Sequence, residues 1–240
     1  MSKRGKLTCG IIFFIGCFFL YESLSENQQE VVSYTPYKTL VLEKENTLIL
    51  NGEITRSLVA ELQYKLHKMS YKLPLDKPII LVINTPGGSV LAGHRLIVAM
   101  GAVPQPVHTL VLNANSMGFY IAQAGKIRYT APDSQYMAHR ASLQGLSGEL
   151  NGSLNSRLLQ IENIEKFLQF VTALRLKMDL STFQEKIKDE YRFSGFESKD
   201  HNAADEIVLP LCGVSLLDRV VVVINPTTQA MFYSCPLFSL

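Results

Sequence analysis

The chain has almost no net charge: 23 Lys and Arg against 21 Asp and Glu leave +2 at neutral pH. A nucleic-acid footprint needs a basic stripe or patch, and no stretch here interleaves clustered basic residues with aromatics, so nucleic acid is not expected as a partner. Cysteine is scarce, with only 4 residues. Cys9 and Cys17 fall in an apolar run at the N-terminus, which leaves Cys212 and Cys235 near the other end. No pair has metal-ligand spacing, and His67, His94, His108 and His201 are scattered, so a metal site is not expected. Internal repeats and low-complexity tracts are missing too. What remains is an ordinary globular composition, 47% hydrophobic, enough for a substantial core in one domain.

The N-terminus departs from that average. Lys3, Arg4 and Lys6 precede Leu7 to Tyr21, a run without a charged residue that closes at Glu22. A basic head before a short apolar core has the form of a secretory signal or a signal-anchor. The run is short for a full span, which needs ~20 apolar residues. Phe14-Ile15-Gly16-Cys17 is distantly similar to a lipoprotein cleavage box, but the Phe18, Phe19 and Leu20 that follow are too apolar for the start of a mature lipoprotein. An uncleaved anchor is therefore preferred, with the domain membrane-anchored or exported to the extracytoplasmic side. If so, Cys212 and Cys235 meet an oxidising compartment, where they can pair. The expected organisation is a signal-anchor or signal peptide over 1–22 and a polar tether over 23–46. A domain over 47–209 and a C-terminal extension over 210–240 follow.

Along the domain, strand-like and helix-like patterns alternate. Thr47 to Leu50 is β-prone and ends at the turn signal Asn51-Gly52. Ile54 to Met69 carries Leu58, Leu62 and Leu66 at helical spacing. Ile79 to Ile83 is an unbroken aliphatic strand of the kind buried on both faces. A helix over Val90 to Met100, a buried strand over Val107 to Leu112 and a small-residue helix over Ser116 to Ala124 come next. Ile127 to Tyr129 and Tyr136 to His139 look like two short strands. A long helical pattern runs from Gly152 to Met178, then a shorter one over Ser181 to Ile187. Ser194 with Glu197 reads as a capping box opening a last helix to Ala204. In the extension, "RVVVVIN" reads as a strand. The alternation argues an α/β fold with mostly parallel strands.

Two junctions carry the chemistry. "INTPGGSV", Ile83 to Val90, places two glycines between a strand and a helix, where backbone N–H groups are left without partners and form an anion site. The next strand ends in Asn113-Ala114-Asn115-Ser116-Met117-Gly118, with a serine at a helix start. The common use of such a serine is an N-cap. If the two strands are neighbours in a parallel sheet, their C-terminal ends open on one crevice. The N–H groups of Gly88 and Met117 then make an oxyanion hole beside Ser116 as nucleophile. His139, ending the following strand in "QYMAHRA", is the matching general base.

With these residues in hand, the chain resembles the proteolytic subunit of the Clp protease, a serine peptidase of crotonase-like fold. The matching pieces are "LILNGEIT", "LVINTPGGSVLAG", "ANSMGFYIAQAGKIRYTAPDS", "YMAHRA" and "SGFESKDHNAADEIV", in order and with similar spacing from Leu48 to Val208. The resemblance implies repeated β-β-α units with a long handle helix, here preceded by an N-terminal apolar helix. It implies Ser116 as nucleophile, His139 as base and Gly88 and Met117 as oxyanion donors. The triad acid falls on Glu190 when the Ser194 cap is the anchor, with Asp189 as fallback; anchoring on "RF" gives Tyr191, which cannot orient an imidazolium. Arg140-Ala141 stands where the family carries Gln-Pro. The implied activity is hydrolysis of peptide or protein substrates by a homo-oligomer, ATP-independent on its own and held to the membrane by its N-terminal segment. Two alternatives stand beside it. One is a pseudo-peptidase that scaffolds or binds a partner, the other a crotonase-like acyl-thioester enzyme.

Overall fold

The computed structural model describes residues 37–141, 152–225 and 228–237. The expected apolar helix of residues 7–21 and most of the tether lie outside them. Lys38–Leu42, inside the stretch expected as tether, is a strand (β1).

Aliphatic runs form the sheet, and amphipathic stretches cover one of its faces. β2 (Thr47–Asn51), β3 (Ile79–Thr85), β4 (Val107–Asn115) and β5 (Arg128–Ala138) pair in parallel, in that spatial order. β5 then meets β7 (Glu206–Cys212), also parallel, and β7 meets β1. Parallel strands need crossovers, and these are supplied by α1 (Arg56–Lys72), α2 (Val90–Ala102) and α3 (Met117–Gln123). The long helix α4 (Gly152–Arg175) and α5 (Leu180–Lys186) follow β5. The order opens with β1-β2-α1, one β-β-α unit of the kind the resemblance implied, and continues as β-α-β through β5.

Two predicted elements change on folding. Ile127–Tyr129 and Tyr136–His139 are the two ends of the single strand β5, whose register against β4 jumps from Val111–Thr130 to Asn113–Gln135. Pro132 lies in the part that skips β4, where its missing N–H costs no ladder bond. The first half of β5 pairs with β7, and the second half with the antiparallel β6 (Tyr191–Ser194). The helix expected over Ser194–Ala204 is one 3-10 turn, Gly195–Glu197. Its capping box forms as read, with Ser194 N–H donating to Glu197 at 2.9 Å. Asn202 at φ 51 ends the regular backbone, and its carbonyl accepts from Arg128 at 2.7 Å.

Leu50, Ile54, Leu62, Ile83, Leu96, Phe119 and Phe183 belong to the core between sheet and helices. The opposite face is closed differently. Leu42, Ile80, Val82, Leu110 and Val208 form a second cluster there, and Leu216 and Leu237 of the C-terminal extension complete it. A disulfide between Cys212 and Cys235 ties the two ends of that extension together. Between them "RVVVVIN" lies in β8 (Asp218–Asn225), paired antiparallel with β9 (Thr228–Ser234).

Candidate active site

Both junctions named from the sequence sit at the C-terminal ends of neighbouring strands, β3 and β4. Ser116 follows β4 directly. Its side chain makes no capping hydrogen bond to α3, and its backbone stands at φ 53, ψ −120. That region is costly for any residue with a Cβ, about 1–3 kcal/mol, and it persists only where the surroundings fix it. Here Ser116 N–H donates to Met137 O at 2.7 Å, which locks the turn onto β5. The hydroxyl is thereby turned away from the helix. It lies 2.8 Å from Nε2 of His139, the residue after β5.

The double glycine has a separate reason at each position. A Cβ on Gly87 would come within 2.5 Å of Ser116 Cβ, so its absence makes room for the serine. A Cβ on Gly88 would meet Ile54 O at 2.7 Å, and Gly88 forms a parallel bridge to Ile54. Both glycines have positive φ, 107 and 139. Thr85 Oγ1 holds the turn by accepting from Gly87 N–H at 3.0 Å and donating to Gly52 O at 2.6 Å. Gly88 N–H has no acceptor among the described residues, and Met117 N–H, first in α3, has none either. Both donors flank Ser116. Met117 is its chain neighbour, and Gly88 follows the residue packed on it. Gly93 in α2 leaves space for the Met117 side chain, which a Cβ there would meet at 2.3 Å.

The candidate acids separate cleanly. Tyr191 points inward: it is buried, its hydroxyl lies 2.8 Å from His201 Nδ1, and burial pushes its pKa up to about 12. Asp189 ends a 3-10 turn and is exposed. Glu190 lies one step past the Ala138–Tyr191 pair, which places its backbone opposite His139. Its carboxylate does not reach the imidazole. Glu190 Oε2 accepts from Arg192 Nε at 2.9 Å and Nη2 at 2.7 Å, on an exposed surface. Arg140 N–H donates to Ile187 O at 3.3 Å, which holds this loop against the end of β5. Ser116 and His139 are therefore together, two free N–H groups stand beside them, and Glu190 is adjacent but engaged elsewhere.

The sequence reading passed over Gly87 and Arg192. Gly87 had a signal in the doubling of the glycine, since one would have sufficed for a turn. Arg192 had none, because a salt bridge to i−2 depends on where Glu190, left-handed at φ 66, aims its carboxylate after folding.

Behind the site a buried node ties the elements down. Arg128, whose side chain is only 6% exposed, binds Asp205 at 2.7 Å, Gln123 at 2.7 Å and the carbonyl of Asn202. Arg175 at the end of α4 donates to the carbonyls of Gln123 and Gly125 at 3.2 and 2.7 Å. The far end of α3 is thus held to β5, α4 and the start of β7.

In a comparison with protein families, the model described as Clp protease matches residues 27–210. The match spans β1 to β6, the five α-helices among the described residues and the Ser116–His139 pair, and it stops within β7.

Proposed function

The chain belongs to the Clp protease family, and from that premise we propose that it is a serine-type endopeptidase working through Ser116 and His139. The 2.8 Å contact between His139 Nε2 and Ser116 Oγ is the observation that carries this reading. Ser116 Oγ attacks the scissile carbonyl carbon while Nε2 takes its proton. The carbonyl oxygen becomes an anion and is held by the N–H groups of Gly88 and Met117, each worth on the order of 3 kcal/mol of transition-state stabilisation. Collapse of the tetrahedral intermediate breaks the C–N bond, and His139 hands the proton to the leaving amine. Water, deprotonated by His139, then frees the acyl group from Ser116. Glu190 orients the imidazole after its carboxylate turns from Arg192 to His139. No cofactor enters the scheme.

The engagement of Glu190 by Arg192 is what favours the alternative, a catalytically silent scaffold. Incubating the full chain with a fluorophosphonate and mapping the adduct decides between them. Modification of Ser116 supports the peptidase; an unmodified, folded protein sinks it. A crotonase-like thioester enzyme would likewise leave Ser116 unmodified.

The same reading extends to assembly and place. Members of this family typically oligomerise and act on protein substrates, and α4 exposes Phe167, Phe170 and Leu174, an apolar stripe that supports packing between copies. The basic head before Leu7–Tyr21 and the Cys212–Cys235 disulfide support an anchored domain in an oxidising compartment. No helix among the described residues is long and apolar enough to cross a membrane. Added protease digesting the domain in intact spheroplasts is the expected result; complete protection contradicts it.

A further inference from the structure

A groove about 800 Å³ in volume lies along β2, and neither Ser116 nor His139 lines it. Among the described residues β2 ends the sheet and has no strand on its outer side. Asn46 O accepts from Ile80 N–H at 2.8 Å, and Gly52 N–H donates to Asn84 O at 2.9 Å. Even-numbered residues thus direct their backbone groups to β3. By the two-residue period of a strand, Thr47 and Ile49 direct theirs outward, along the floor of the groove. The strand "TLILN" has neither charge nor proline, the usual devices that keep an edge from pairing. Thr47 also lines the groove, and its buried hydroxyl has no hydrogen-bond partner.

The walls supply chemistry. Lys65, Lys68 and Lys72 of α1 line one side at spacings of three and four, which puts them on one helix face. Lys44 lines the groove with them. Of the two acids in the lining, Glu45 is engaged by Lys77, outside it, and Asp218 lies across from α1 in the extension. Lys65 is paired with Glu61 at 2.6 Å on the exposed helix face, Lys44 and Lys72 meet no carboxylate among the described residues, and Lys68 stands 5.8 Å over the Tyr64 ring. Met69 and Leu73 on the α1 side and Leu216 on the other give apolar contact between the charges.

We propose that this groove binds an extended acidic peptide segment, which adds to β2 as a further strand. Its backbone pairs with the outward groups of Thr47 and Ile49. Alternate side chains then point to α1, where carboxylates meet Lys65, Lys68 and Lys72, and the residues between them point to Leu216, where aliphatic groups fit. The occupant is therefore a segment alternating acidic and aliphatic residues. This inference does not rest on the peptidase reading, because the groove and the Ser116–His139 pair share no residue.

The test uses the full-length chain carrying Ser116→Ala, so that no peptide is consumed. The probe is a fluorescent, end-blocked Glu-Val-Glu-Val-Glu-Val peptide, with Lys-Val-Lys-Val-Lys-Val as its counterpart. Saturable binding of the first and not the second is expected, together with slowed hydrogen exchange at the amides of Thr47 and Ile49. Ile49→Pro removes one outward N–H and leaves the β3 pairing intact, so it should weaken binding ~10-fold or more. The triple change Lys65→Glu, Lys68→Glu, Lys72→Glu, on an exposed helix face, should do the same. Equal binding of both peptides, or binding without protection of the two amides, overturns the proposal. Concentration-dependent protection of these amides without peptide overturns it too, because the edge is then covered by a second copy.

Discussion

Ser116 holds a conformation that its own chemistry disfavours, and the neighbours that impose it are specific. Gly87 is the most exposed to test, since a Cβ there would need the space of the Ser116 side chain and a φ of 107 besides. Gly87→Ala is therefore expected to cost about 1–3 kcal/mol from backbone strain alone. It should also displace the Ser116 hydroxyl, so turnover should fall more than stability does. Measuring the thermal midpoint and the fluorophosphonate labelling rate on one preparation separates the two effects; an unchanged labelling rate would contradict the packing argument. Ser116→Ala should instead abolish labelling with little change in stability, because no capping bond is lost.

The acid is the second residue-scale question. Losing an orienting carboxylate can cost ~10⁴-fold in rate, so Glu190→Gln should cut ester hydrolysis severely, while Asp189→Asn should leave it nearly intact. Arg192→Ala should raise the rate, because it releases the Glu190 carboxylate beside His139. If Glu190→Gln, Asp189→Asn and the wild-type chain hydrolyse the ester equally, Ser116 and His139 work as a dyad or not at all.

Among elements, the Arg128–Asp205 pair decides how α3, α4, β5 and β7 meet. Burial alone would raise the Asp205 carboxyl, but the hydrogen bonds and charge of Arg128 outweigh it and hold Asp205 below its ordinary value. A carboxyl lowered in the folded state stabilises the fold at every pH above its unfolded value, and loses that contribution as pH falls through the folded one. The loss should thus appear in acid, below about pH 4. Asp205→Asn should lower stability at neutral pH and flatten this acid limb in urea titrations repeated across pH. A variant with the acid limb unchanged would show that other carboxylates carry it. The burial-lowered His201 acts in the same direction, since protonating it in acid also works against the fold.

At the scale of the whole molecule, the sheet has one face closed by helices and the other by the C-terminal extension. The disulfide spans a separation of 23 residues, for which loop closure in the unfolded chain predicts about 3 kcal/mol. Reducing it, or replacing both cysteines with serine, should lower the thermal midpoint and open the extension to protease after Cys212, while Ser116 still labels. Loss of labelling would mean that the second face also shapes the site. Assembly belongs to this scale as well. Phe170→Asp with Leu174→Asp, on the exposed stripe of α4, should yield smaller species in sedimentation velocity without unfolding the subunit.

The sequence by itself determined the parts that depend on local order. Unbroken aliphatic runs such as Ile79–Ile83, punctuated by Pro78 and the double glycine, read as strands buried on both faces, and Leu58, Leu62 and Leu66 at spacings of four read as a helix lying on them. The strand–glycine–helix and strand–serine–helix junctions named Gly88, Ser116 and Met117 because such junctions leave N–H groups free wherever they occur. Tertiary structure alone decided the rest. β5 is one strand because β4, β6 and β7 take turns pairing with it, while its own proline-containing middle reads as a turn. The cap at Ser194 opened one 3-10 turn and no long helix, and Asn202, left-handed at φ 51, gives its carbonyl to Arg128 far back in the chain. Glu190 rests on Arg192 and not on His139 because a carboxylate takes the nearest fixed guanidinium, and where that lies depends on the face each residue presents after folding.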